Sequence, residues 1–212
     1  MVAHLLTGGG GMVLFICTAN RCRSIICEYL FRNYLQEGLF HPFDETLKVE
    51  SAGIIAKNFW DFIQDFVRKR NHEMSRDTFY HHPPYKGTID CLAARGWSVG
   101  SYRSKPLTER LAGEARLLVT LEDSQKNTIL KSFPKAGRRT LTFREFVGEG
   151  DLDTAGIYED TLHIPQYDPA DPHFFNYKQS RIEACYKAIE GGLKAGAQRV
   201  VTLLEKGMKI NE

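Results

Sequence analysis

Along the chain, apolar runs alternate with stretches in which apolar residues recur every three or four positions. VLFIC (13–17) has the pattern of a buried strand, and in the following RSIICEYLFRNYLQ the residues Cys27, Leu30, Phe31, Tyr34 and Leu35 share one helical face. The pattern predicts strand, short loop, helix. LKVESAGI (47–54) is the next predicted strand, followed by a helix from about Pro84 to Ala94 that ends at Gly96, and then by a short extended piece from Trp97 to Tyr102. ARLLVTLE (115–122) is a further buried-strand run, DSQKNTILKSF (123–133) a helix capped by Asp123, and RRTLTFREFVG (138–148) a last strand. The chain closes with about thirty residues of helix from Asn176, in which Ile182, Cys185, Tyr186, Ile189 and Leu193 form the apolar stripe. Strands alternating with helices imply an α/β fold whose sheet is parallel, with right-handed crossovers.

Two segments interrupt the alternation: 55–83, and an acidic, glycine-containing loop at about 148–163. Both read as insertions on a single domain spanning 12–207, with residues 1–11 as a flexible N-terminal extension. Within the first insertion, Phe59, Ile63, Phe66 and Val67 fall at helical spacing and predict an amphipathic helix.

Composition narrows the function classes. With 28 Lys+Arg against 26 Asp+Glu, the formal net charge of +2 gives no electrostatic case for nucleic acid or an anionic membrane, so an anionic ligand must be small and locally held. The 5 cysteines are Cys17, Cys22, Cys27, Cys91 and Cys185, an odd number with three in one short stretch. That is not the pattern of a secreted disulfide framework, and reduced thiols in a cytoplasmic setting are expected. No apolar run is long enough to insert in a bilayer, and the N-terminus lacks the pattern of a signal peptide. His81-His82 beside Pro83-Pro84 has no Cys or carboxylate at ligand spacing, so it reads as an exposed loop, and no metal is expected. Arg68-Lys69-Arg70 reads as a solvated helix face.

The chemistry lies just after the first strand, in Cys17-Thr18-Ala19-Asn20-Arg21-Cys22-Arg23-Ser24. A loop of this length between a strand and a helix N-terminus turns successive backbone N–H groups inward. With the helix dipole it makes a nest sized for a tetrahedral oxyanion such as phosphate. Cys17 stands at the carboxyl end of its strand, where open α/β sheets bind ligands, and the nest favours the nucleophilic thiolate. Arg23 offers a planar fork that grips two phosphate oxygens, Ser24 a hydrogen bond to the sulfur, and Asn20 tolerance of a left-handed backbone. A phosphomonoester also needs its leaving oxygen protonated, and Asp168 and Asp171, each followed by proline in IPQYDPADPHFF, are the candidate acids.

These residues resemble the signature of the low-molecular-weight protein-tyrosine phosphatases, V-C-x-G-N-x-C-R-S-P near the N-terminus. The resemblance continues in VESAGI (49–54), PPYKGTIDCLAARGW (83–97), LLVTLEDSQ (117–125) and the late Asp-Pro. It implies a flavodoxin-like three-layer sandwich with a central, mostly parallel four-stranded sheet flanked by helices. It implies hydrolysis of phosphotyrosine or another aryl phosphate through a cysteinyl-phosphate, without a cofactor, by a monomer. By the same resemblance Cys17 is the nucleophile, Arg23 the phosphate clamp and Ser24 the thiolate stabiliser. The backbone of Thr18, Ala19, Asn20, Arg21, Cys22, Arg23 and Ser24 binds phosphate, and Asn20 with Ser51 braces the loop. Asp168 is preferred to Asp171 as the acid because Tyr177 then takes the place of the family's aromatic before the last helix. Cys22 matches a family cysteine and is a candidate for a reversible disulfide with Cys17. The loop leaving the second strand walls the family's cleft, which makes Trp60 a candidate for aryl selection.

The chain departs from the signature at Ala19, Ile25 and Cys27, where Gly, Pro and Ala are usual. Two relatives of the loop give alternative activities. Arsenate reductases of the shuttle type place a cysteine where Glu122 stands, leaving only a form that uses an external small thiol. Protein-arginine phosphatases place Thr where Arg21 stands, and a cation there should repel a guanidinium substrate.

Overall fold

The computed structural model describes residues 11–43, 47–69, 75, 79–148 and 179–209. Its centre is a four-stranded sheet of order β2-β1-β3-β4, with β1 Met12–Cys17, β2 Lys48–Gly53, β3 Ala115–Thr120 and β4 Thr140–Thr142. All three strand pairings are parallel. β1 is the inner strand, paired on both edges, and each of its residues is buried. A strand covered on both faces can be continuously apolar, which is why MVLFIC shows no alternation.

The two faces nevertheless sort by parity. Val13, Phe15 and Cys17 join a core with Ile25, Phe31, Phe146 and Ile189, while Met12, Leu14 and Ile16 join a second core with Ala52, Leu111, Leu118 and Ile129. The first layer is built by α1 (Arg23–Gln36), a helix at Lys86–Ala93, one at Phe143–Val147, and the closing pair Gln179–Ala195 and Ala197–Lys209. The second is built by Glu109–Glu114 and Asp123–Ser132. In chain order, with α2 at Lys57–Arg68, these helices are α3 (Lys86–Ala93), α4 (Glu109–Glu114), α5 (Asp123–Ser132), α6 (Phe143–Val147), α7 (Gln179–Ala195) and α8 (Ala197–Lys209). The three-layer α/β sandwich is thus present, with its four strands wholly parallel.

Several expectations need correction. The segment from Trp97 to Tyr102 is turn and coil, without strand pairing. Asp123 does not cap α5: it is the first helical residue, and Glu122 holds the cap position without a side-chain hydrogen bond. The strand expected across 138–148 keeps three residues, because Thr142 and Glu145 close a reciprocal capping box that starts α6 at Phe143. The closing helix is two helices divided at Gly196, where a Cβ would run into the backbone of Val147. α4, capped by Thr108, was not foreseen. The helix expected within 55–83 is α2.

Candidate active site

The loop from Cys17 to Ser24 leaves the carboxyl end of β1 and enters α1, so it opens at the edge of the sheet where β2 and β3 also end. Asn20 sits in the left-handed region at φ 53°, which lets the chain reverse without glycine. Its side chain then fastens the loop from inside. Asn20 Nδ2 donates to Ser24 Oγ at 3.0 Å and to Ser51 Oγ at 2.9 Å, and Asn20 Oδ1 accepts from Tyr102 OH at 2.9 Å and from the Lys105 N–H at 3.0 Å. Asn20, Ser24 and Ser51 are fully buried. Each group of this network is satisfied by another, and deleting one leaves the rest unpaired, at about 1–3 kcal/mol.

Cys17 Sγ and Ser24 Oγ are 3.1 Å apart. Arg23 Nη2 forms an ion pair with Glu122 Oε1 at 2.5 Å, both side chains being largely buried. Arg21 is buried: its Nε donates to Pro83 O at 2.8 Å, and its guanidinium stacks 4.2 Å from the centre of the Tyr85 ring. Gln125, fully buried on α5, accepts the Leu121 N–H and donates to Thr18 Oγ1 at 3.1 Å, tying the loop to β3.

Beneath the brace, Ser51 Oγ donates to Glu28 Oε2 at 2.5 Å and lies 2.7 Å from Tyr102 OH. Burial raises the Glu28 carboxyl above its ordinary value, with the Arg32 guanidinium at 2.8 Å pulling the other way. Burial likewise raises the Tyr102 phenol, keeping it a donor. Cys22 holds the cap position of α1 and packs against the core that includes Cys185 of α7. The Cys185 thiol, helped by the Arg23 guanidinium, holds Cys22 below the ordinary thiol value despite burial.

An aromatic cluster stands beside the loop. Ile55, Ile63, Phe79 and Tyr80 pack together, with Ala19 of the loop and Trp60 of α2 against them. Trp60 meets Phe79 edge-on at 6.3 Å, and Tyr80 OH donates to Thr18 O at 3.4 Å. Gly53 makes this approach possible: a Cβ there would lie 2.6 Å from Tyr80 Cε1 and 2.7 Å from Thr18 O.

The structure joins Cys17, Asn20, Ser24 and Ser51 by hydrogen bonds and turns Arg23, beside Ser24, to Glu122, while Asp168, Asp171 and Tyr177 lie outside the described residues. Glu122, Gln125, Tyr102 and Glu28 were missed as site residues. For Glu122 and Gln125 a signal existed, since both follow β3 at the end where β1 delivers its loop. Among the described residues no group of three His, Cys, Asp or Glu is placed to hold a metal ion, and no helix is long and apolar enough to cross a membrane.

The parallel α/β sheet delivers Cys-x5-Arg-Ser from its first strand into a helix N-terminus. Residues 12–71 match the family model described as low molecular weight phosphotyrosine protein phosphatase. A protein-arginine-phosphatase of Bacillus subtilis is 26% identical over 175 residues, covering 81% of this chain and 87% of that one. The chain is thus similar to low-molecular-weight phosphatases, over residues 12–71 by the family model and over 175 residues to the Bacillus relative. Two solved structures share the fold. A YwlE mutant from Bacillus subtilis has a TM-score of 0.60 at 19% identity over 90% of this chain and 99% of the other. The tyrosine phosphatase Wzb from Escherichia coli K30, in complex with sulphate, has a TM-score of 0.56 at 20% identity with the same two coverages.

Proposed function

We propose that the protein hydrolyses aryl phosphomonoesters, phosphotyrosine in a protein being the intended substrate. The observation that carries this reading is the pairing of Cys17 Sγ with Ser24 Oγ inside a loop that also presents Arg23, at the carboxyl end of β1. The phosphoryl group lies in the nest of backbone N–H groups from Thr18 to Ser24 while Arg23 grips two of its oxygens. The Cys17 thiolate attacks phosphorus, and the bond to the aryl oxygen breaks as that oxygen takes a proton from Asp168, with Asp171 as the alternative donor. Water then attacks the cysteinyl-phosphate, giving its proton to the same carboxylate. Ser24 donates to the departing sulfur, and orthophosphate leaves. The reaction takes place in a cytoplasmic setting.

A second reading, removal of phosphate from phosphoarginine, is favoured by the relative in Bacillus subtilis. Arg21 and the aromatic cluster of Trp60, Phe79 and Tyr80 argue for the aryl substrate: a cation within the loop disfavours a guanidinium, whereas rings accept a phenyl group. The two are separated by assaying phosphotyrosyl and phosphoarginyl peptides side by side. The expected outcome is preference for phosphotyrosine, with Cys17→Ser losing turnover by at least about 10³-fold. Asp168→Ala should lose about 10²- to 10⁴-fold on poor leaving groups and much less on good ones. Preference for phosphoarginine, with Arg21→Thr increasing it further, would establish the second reading.

A further inference from the structure

A buried amide can settle which way a hydroxyl points, and α5 aims one at the phosphate loop. Gln125 is 1% exposed, and its Oε1 accepts the Leu121 N–H at 3.1 Å. A backbone N–H can only donate, so the amide oxygen faces Leu121 and the NH2 group faces the loop. There Nε2 donates to Thr18 Oγ1 at 3.1 Å. Thr18 Oγ1 is the acceptor in this bond, so its one hydrogen points elsewhere. Among the described residues that hydrogen has no acceptor. The loop uses the same device beside Cys17: Asn20 Nδ2 donates to Ser24 Oγ, which leaves the Ser24 hydrogen for Cys17 Sγ at 3.1 Å. Thr18 differs in being partly exposed, whereas Asn20, Arg21, Arg23 and Ser24 are buried. Its backbone is fixed from the β2 side, where Tyr80 OH donates to Thr18 O at 3.4 Å.

We propose that the Thr18 side-chain hydroxyl is a ligand-binding donor, oriented by Gln125 to hydrogen-bond an oxygen of the bound phosphoryl group. This donor role rests on the phosphate-loop reading above and deepens it, adding a side chain that touches the ligand to the backbone N–H groups and Arg23. Thr18 directly follows Cys17, so its hydroxyl belongs to the part of the loop that encloses the group the sulfur attacks. The turn after β3 then serves the site twice. Glu122 engages Arg23 Nη2 and Gln125 engages Thr18 Oγ1, so neighbouring residues of one turn hold both donors before a ligand arrives. A donor fixed beforehand loses little freedom on binding, and a hydrogen bond to a charged oxygen is stronger than one to a neutral partner. Gln125 is a positioning residue: it acts on the ligand only through Thr18.

The test is protection of Cys17 from iodoacetamide by inorganic phosphate, followed by peptide mapping, which gives a phosphate dissociation constant for each variant. Thr18→Val keeps the branched shape and removes the hydroxyl. The constant is expected to rise by about 10- to 100-fold, the cost of one hydrogen bond to a charged oxygen. Thr18→Ser, which keeps the hydroxyl, should recover most of that loss. Thr18→Val also breaks the tie to Gln125, so it is repeated in a Gln125→Met background, where there is no tie to break. There it should still raise the constant by about 3-fold or more. Gln125→Ala is the alternative background if circular dichroism shows the methionine variant unfolded. An unchanged constant in Thr18→Val, or an effect of Thr18→Val that vanishes in the Gln125→Met background, would overturn the proposal and leave the phosphate-loop reading standing. A wild type that phosphate does not protect would overturn both. The readout is phosphate occupancy, so it does not depend on which phosphate ester the protein hydrolyses.

Discussion

The clamp role proposed for Arg23 needs its fork to face the nest, and the Glu122 carboxylate at 2.5 Å constrains that fork. Glu122→Gln keeps the shape and removes the charge. Phosphatase kcat/KM is expected to fall by on the order of 10- to 100-fold, because a modestly misplaced clamp costs that much. Circular dichroism should be unchanged. Unaltered kcat/KM would mean that the backbone alone positions Arg23. At this scale legibility follows sequence distance. Cys17, Asn20, Arg23 and Ser24 fall within one strand-to-helix turn, so their chemistry could be read locally. Tyr102 and Gln125 reach the same turn across gaps of 82 and 107 residues; nothing in its own neighbourhood marks Tyr102, and only its place just after β3 marks Gln125.

At the scale of elements, the helical spacing that predicts α2 also hides its purpose. Ile63 and Trp60 do not reach the main core: they pack with Phe79 and Tyr80 against Ala19, beside the phosphate loop. Trp60→Ala should therefore raise KM for a phosphotyrosyl peptide by about 10-fold, in line with an aromatic contact of about 0.5–1.5 kcal/mol beyond its buried area. A small alkyl phosphate should be spared. Equal effects on both substrates would reduce α2 to packing. The misread segment 138–148 shows why element boundaries fail: its alternating apolar residues suit a strand, but the Thr142–Glu145 box satisfies backbone donors at once and the chain turns helical.

For the molecule as a whole, the brace under the loop couples stability to pH. Glu28 is buried and its carboxyl lies above the ordinary value of 4.5, so over that interval the folded chain binds more protons than the unfolded one. Its contribution is full below the unfolded value and is lost as pH rises through the raised folded value. Glu28→Gln should flatten this part of the profile, as read from urea midpoints between about pH 4 and 8. An unchanged slope would show that Arg32 holds the carboxylate ionised throughout. The sequence by itself determined the alternation of strands and helices, the parallel sheet and the chemistry of residues 17–24, because buried-strand runs, helical periodicity and a strand-to-helix turn are local properties of the chain. Only the tertiary structure decided that Glu122 faces Arg23, that Gln125 reaches Thr18 and that Tyr102 closes the ring around Asn20. Those contacts arise from strand order and helix packing, and the one-dimensional pattern does not specify which distant residues such packing brings within hydrogen-bond reach.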